Sequence, residues 1–127
     1  MRPATATLLA LLSLCDSTAR SAPQPADDPA MIALASRSGC LTCHAVRGPS
    51  SPDQTGKPIG PAWRDVAIKY KGQHGAAKKL VQTVMNGSSP YASHWNGKVS
   101  GLAMPPNQVA ISPRDARRLV NWILSLE

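Results

Sequence analysis

Two cysteines three residues apart, followed at once by a histidine, stand in the run Cys40-Leu41-Thr42-Cys43-His44, and nothing else in the chain constrains its fold as strongly. Each thiol at this spacing can add to one vinyl group of a porphyrin, while the adjacent imidazole is placed to bind the iron. The run is the CxxCH pattern of c-type haem attachment. A chain that carries its cofactor on so short a segment must build a pocket around that segment from elements further along.

Three other chemistries use paired cysteines. A thiol–disulfide site is expected near a βαβ pattern, where the pair opens a helix and gains a depressed thiol pKa, and no such pattern occurs here. A zinc site needs four ligands, usually with a second paired knuckle, whereas only Cys15, His74 and His94 remain, and they are scattered. A chance motif or a structural disulfide is the third reading.

The amino terminus bears on the choice. Arg2 precedes the apolar run Leu8-Leu9-Ala10-Leu11-Leu12-Ser13-Leu14, and Ser17-Thr18-Ala19 follows with small side chains. That is the plan of a secretory signal peptide over residues 1–19, too short to span a bilayer, which takes about twenty apolar residues. Because bacteria attach this cofactor outside the cytoplasm, the export signal and the CxxCH run support each other, and the expected compartment is the periplasm. Cys15 ends the apolar run in a segment that partly resembles a lipoprotein box. Lipidation there would bring the chain to a membrane, although Leu14 stands where such boxes carry a small residue. Residues 20–29, rich in Ala, Pro and Asp, are expected to form a flexible leader.

The remainder, residues 30–127, is one domain's worth of chain. With three Trp, two Tyr and no Phe it has little aromatic surface to bury, so a bound porphyrin would supply much of the apolar filling. Lys and Arg number 14 against 7 Asp and Glu, a net charge of +7 that signal removal leaves unchanged, since Arg2 and Asp16 depart together. The excess favours partners with acidic surfaces. Export and the lack of a nucleic-acid-binding motif argue against nucleic acid.

Four helices are expected. The last starts on Ser112 as N-cap with Pro113 in the first turn and Asp115 in a capping-box position. Ala116, Leu119, Val120, Ile123 and Leu124 then recur on one face, with Trp122 at its edge, where it should seal the face against another element. Trp63, Val66, Ala67 and Tyr70 form a stripe within Pro61 to Lys71. A third stripe, Ala77, Leu80, Val81 and Val84, ends at Asn86-Gly87. The first helix, about Ala30 to Gly39, would share Met31, Leu34 and Ala35 on one side and deliver Cys40. No alternation long enough for a sheet occurs.

A second iron ligand should come from a distant element. Met104 is the candidate, because Pro105-Pro106-Asn107 stiffens its loop and lowers the entropic cost of holding the thioether in place. Methionine is a soft ligand that raises the reduction potential relative to a second histidine. Ordinary loop packing is the alternative for Met104. Met31 and Met85 read as core residues, and His74 and His94 as solvated loop residues.

Five blocks in order carry a resemblance: Gly39 to His44, Ile59 to Ala67, Asn86-Gly87-Ser88, Met104 to Asn107, and Leu119 to Ser125. Together they resemble a small bacterial class I cytochrome c of the c-551 type, over about Pro29 to Leu126. The resemblance implies an all-α fold of about four short helices and long loops around one haem c, which is covalently bound through Cys40 and Cys43 and ligated by His44 and Met104. It further implies that Pro61 packs beside the histidine and fixes its tautomer, that Asn107 hydrogen-bonds near the methionine sulfur, and that Trp95 lies near a haem propionate. The pattern breaks in four places. The loops 48–57 and 88–103 are longer than usual, Ala35 replaces an aromatic residue, and Thr83 replaces a basic residue that would pair with a propionate.

The function implied is a one-electron carrier without a catalytic residue, steered to acidic periplasmic redox partners by lysines such as Lys57, Lys69, Lys71 and Lys98. Two other roles keep the same cofactor: the dedicated cytochrome subunit of a periplasmic dehydrogenase, and a haem sensor or peroxidase whose sixth iron position is open.

Overall fold

The computed structural model describes residues 27–48 and 56–126. Four α-helices follow one another, α1 (Pro29–Arg37), α2 (Trp63–Tyr70), α3 (Ala76–Asn86) and α4 (Pro113–Leu124), with one turn of 3₁₀ helix at Cys40–Thr42 between α1 and α2. No β-sheet forms among the described residues. This is the all-α class I cytochrome c architecture that the motif order implies.

Local chemistry sets most helix ends. The Asp28 carboxylate accepts from the Ala30 and Met31 N–H groups at 2.9 and 3.3 Å, and Pro29 needs no N–H partner in the first turn. α1 therefore starts one residue before the expected Ala30. It stops at Arg37, short of the expected Gly39, because Gly39 takes a left-handed backbone (φ 73°). That break turns the chain out of α1 and into the 3₁₀ turn that presents the cysteines. α4 is capped as expected, with the Ser112 hydroxyl accepting from the Asp115 N–H at 3.1 Å. The return bond differs from a full capping box, since the same hydroxyl donates to the Asp115 carboxylate at 3.0 Å. Ser112, and then Arg118 at 2.9 Å, hold that carboxyl below its ordinary pKa.

α2 has no side-chain cap at Ala62. Its first free N–H groups are met by the chain just after His44, with Trp63 donating to the Ala45 carbonyl at 2.9 Å and Arg64 to the Val46 carbonyl at 3.0 Å. Helix initiation and the fastening of the cysteine–histidine segment are thus the same two bonds.

The core gathers Met31, Leu34 and Ala35 of α1, Trp63, Val66 and Ala67 of α2, and the inner face of α4, with Ile111 and Leu126 at its ends. Trp122, expected to seal the edge of the α4 stripe against another element, does so: it is fully buried, edge-on to Trp63 of α2 at a centroid distance of 5.6 Å and an interplanar angle of 82°. α4 packs against α1, α2 and α3 together, so its covered face extends past the stripe to include it. α3 is covered less fully. Only Ala76 is buried, and Leu80, Val81 and Val84 are half-buried, because this helix contributes a wall to a cleft as well as packing on α4.

Replacing Trp122 with alanine removes the largest fully buried side chain and the edge-to-face contact with Trp63. We expect the holoprotein to lose about 3–5 kcal/mol of stability in urea unfolding; a loss below about 1 kcal/mol would show that Trp122 is not the packing centre.

Candidate functional site

The segment 40–44 forms one wall of a cleft of about 540 Å³, a size suited to a prosthetic group. Cys40 and Cys43 lie half-exposed on this wall, unbridged. Tight turn bonds hold the segment, with Cys43 and His44 both donating backbone N–H to the Cys40 carbonyl at 3.3 and 3.1 Å. Burial pushes the Cys40 thiol above its ordinary pKa, the reverse of what a thiol–disulfide exchange site needs.

His44 is held in three ways. Its Nδ1 lies 2.7 Å from the Pro61 carbonyl oxygen, which can only accept, so Nδ1 carries the hydrogen and Nε2 keeps a free lone pair. The ring stacks on Trp63 at 5.9 Å and 23°. Burial lowers its pKa below the ordinary 6.5, opposed in part by the Pro61 bond, so the imidazole is neutral at pH 7. Neutral imidazole with a free Nε2 is the form that ligates a metal.

Gly60 makes this approach possible. Its N–H donates to the Cys43 carbonyl at 2.8 Å, and a Cβ there would stand 2.8 Å from His44 Cε1 and 2.9 Å from the Cys43 oxygen. No side chain fits between the two segments.

Met104 lies on the cleft too, brought there by a loop pinned at two points. Its N–H donates to the Ser88 hydroxyl at 2.8 Å, and its carbonyl accepts from the Ser88 N–H at 2.9 Å. Gly87 permits this contact with a left-handed backbone (φ 82°), and a Cβ on it would come within 2.8 Å of the Met104 oxygen. Upstream, Ser100 and Gly101 donate to the Pro58 and Ile59 carbonyls at 2.9 and 3.0 Å. The methionine loop is therefore tied to the strand of chain that leads into Gly60 and Pro61.

The structure gathers Cys40, Cys43, His44, Pro61, Trp95 and Met104 on one cleft, and leaves Asn107 off its lining. The Asn107 side-chain amide donates to the Pro105 carbonyl at 2.6 Å and its backbone N–H to the Val84 carbonyl at 3.0 Å, so it braces the Pro105-Pro106 turn against α3. Trp95 is half-buried, with His94 edge-on at 4.9 Å and Lys98 Nζ 5.8 Å from its ring. His94 is exposed, as expected of a loop histidine. Desolvation at the rim, then the charges of Lys69 and Lys98, push its pKa down.

Of the lysines named from sequence, Lys69 lines the cleft, while Lys57, Lys71 and Lys98 are exposed and off the lining. Sequence reasoning did not find Lys79. Thr83 bonds back to the Lys79 carbonyl at 3.1 Å, and Lys79, one turn earlier on α3, brings a cation to the cleft where Thr83 has none. The roles of Gly60 and Ser88 were also missed. Both sit inside blocks that carry the family resemblance, but their purpose lies in contacts with distant backbone.

The donor set fits a covalently held haem: two thiols on one wall, a neutral imidazole oriented by its other nitrogen, and a thioether. The remaining lining is mostly apolar, with Val66, Leu80, Val84, Leu119 and Ile123 among it.

Comparison with known proteins agrees. The cytochrome c family profile matches residues 33–127. The chain is 38% identical to cytochrome c-551 of Pseudomonas aeruginosa, over 79% of this chain and 78% of that protein. It is 42% identical to cytochrome c2 of Rhodocyclus tenuis, over 75% and 90% respectively. In three dimensions it resembles the crystal structure of Nitrosomonas europaea cytochrome c552, with a TM-score of 0.57 and 35% identity over 76% of this chain and 99% of that one. The chain belongs to the cytochrome c family, as a small monohaem class I member of the c-551/c-552 kind that carries haem c on Cys40 and Cys43 and works as an electron carrier rather than an enzyme.

Proposed function

We propose that His44 and Met104 are the two axial ligands of the iron, and that the chain shuttles single electrons between exported redox proteins whose docking surfaces are acidic. The observation that carries this reading is the 2.7 Å bond from His44 Nδ1 to the Pro61 carbonyl, which leaves Nε2 as the free donor on the cleft wall. Class I cytochromes c are typically periplasmic, with redox partner proteins in that compartment. The signal peptide over residues 1–19 and a leader that ends at the Asp28 cap of α1, rather than at the expected residue 29, complete the reading; residues 1–26, with Cys15, lie outside the described residues.

Haem c supplies a one-electron ferric/ferrous couple. The chain's own residues would hold it in a pocket that is fixed before the charge changes. Trp63 and Pro61 fix the imidazole, Ser88 fixes the backbone of Met104, and the apolar lining excludes water. A rigid, dry pocket keeps reorganisation small when charge changes, as fast electron exchange requires. The two-point clamp of Met104 onto Ser88 also favours a closed sixth position over the open one of a sensor or peroxidase. At the cleft mouth, Lys69, Lys79 and His94 line the rim and Lys98 stands beside Trp95. The positive field of the three lysines would orient an acidic partner toward the cofactor edge.

Three outcomes are expected. The oxidised holoprotein shows the weak red-end absorption band of methionine bound to ferric iron, and Met104→Ala abolishes it while retaining covalent haem; a band that survives the substitution removes Met104 from the iron. Acid competes with the iron for His44 Nε2. Burial lowers the pKa of this imidazole below the ordinary 6.5, so Nε2 stays unprotonated and the ligated visible spectrum of the holoprotein is retained as pH falls through 6.5; a spectrum lost at or above pH 6.5 in a pH titration would show that burial does not protect the ligand. Finally, Lys69→Glu with Lys98→Glu should slow association with an acidic redox partner roughly tenfold at low salt and flatten the salt dependence. Unchanged stopped-flow rates would place the docking surface elsewhere.

A further inference from the structure

α4 has two faces of opposite character. Leu119, Val120 and Ile123 line the cleft, so the residues on the other side of the helix point away from it. Those residues are Arg114, Arg117 and Arg118, at the i, i+3, i+4 spacing of a single helical face, and all three are exposed. Arg37, exposed in the last turn of α1, lies on the helix that packs against α4. Its charge is among those that lower the Asp115 carboxyl, which places it by the same patch. Asp115 is already bonded to Arg118 at 2.9 Å. Among the described residues no salt bridge engages Arg37, Arg114 or Arg117.

Lysine is confined to one part of the chain, which also carries Arg64 on α2. Every lysine lies between Lys57 and Lys98, in the part of the chain that builds α2, α3 and the loops of the cleft, and none lies on α1 or α4. The cations of α1 and of the outward face of α4 are arginines alone. The guanidinium fork matches the paired oxygens of a phosphate, whereas an ammonium is a compact point charge. The large apolar residues that stand exposed are Ile68, Tyr91, Leu102 and Val109, none of them on α1 or α4. A protein interface is usually anchored by buried aromatic or aliphatic side chains, and this face has none to offer. A charged bilayer surface needs no such anchor.

We propose that the outward face of α4, with Arg37 beside it, docks on the phosphate headgroups of an anionic lipid surface, leaving the cleft turned away from the membrane and open to redox partners. The attachment is reversible and electrostatic. It confines the carrier near a membrane without covering its electron-transfer edge, and it is independent of which residue occupies the sixth iron position.

Sedimentation of the holoprotein with vesicles of phosphatidylcholine, with and without phosphatidylglycerol, tests this. Binding is expected only to the phosphatidylglycerol vesicles and is lost at high salt. Arg114→Gln with Arg117→Gln should weaken it roughly twenty-five-fold, from about fivefold for each charge near the surface. Lys69→Gln with Lys98→Gln should leave it unchanged, and the visible spectrum of each variant reports an intact haem site. Equal loss in the lysine variant would assign the binding to the cleft rim and overturn the proposal. Binding to phosphatidylcholine alone would indicate a lipid anchor or apolar insertion, and also overturns it. If the arginine face captures polyglutamate but no vesicle, its partner is an acidic protein and the lipid assignment fails.

Discussion

The bond between His44 Nδ1 and the Pro61 carbonyl organises the rest of the site. It selects the tautomer with a free Nε2, and it can form only because Gly60 lets two backbone segments approach within the space a single methyl group would fill. The same approach brings Ala45 and Val46 to the start of α2, where their carbonyls take the N–H groups that open the helix. Removing any of these contacts would loosen the others. The ligand, the helix start and the turn between them form one unit.

A second unit faces it. The Ser88–Met104 pair and the Pro58–Ser100 and Ile59–Gly101 bonds tie the methionine loop both to the end of α3 and to the approach to Pro61. The two halves of the pocket are thus connected through backbone, not through side chains alone. Backbone bonds tolerate substitution of the residues that make them, provided the glycines that permit close contact remain. α4 closes the arrangement by packing on the other three helices through one wide apolar face, leaving its opposite face to charge.

Much of the secondary structure was legible because it is local. Ser112, Pro113 and Asp115 specify the start of α4 within four consecutive residues, and Gly87 marks the end of α3, where the backbone turns left-handed. What a periodic stripe leaves open is how it is covered, which depends on how many neighbours a helix has. Periodicity put Trp122 at the edge of the α4 stripe, sealed against another element, and the packing of α4 on three helices buries it fully. It put Ala77, Leu80, Val81 and Val84 on one face of α3, and the packing gives Leu80 and Val84 to the cleft. Asn107 shows a related limit: its place in a matching block identified it, but its amide is turned to the Pro105 carbonyl and off the cleft lining.

The sequence by itself determined the cofactor, its two attachment points and the adjacent imidazole, because covalent attachment through Cys40 and Cys43 depends on a fixed spacing along the chain. The tertiary structure decided what surrounds them. Pro61 lies seventeen residues from His44, and Ser88 lies sixteen from Met104. No periodicity links such positions; they meet only because the loops between them close and the helices pack. Local chemistry fixes which atoms are offered, and long-range backbone contacts fix how they are held.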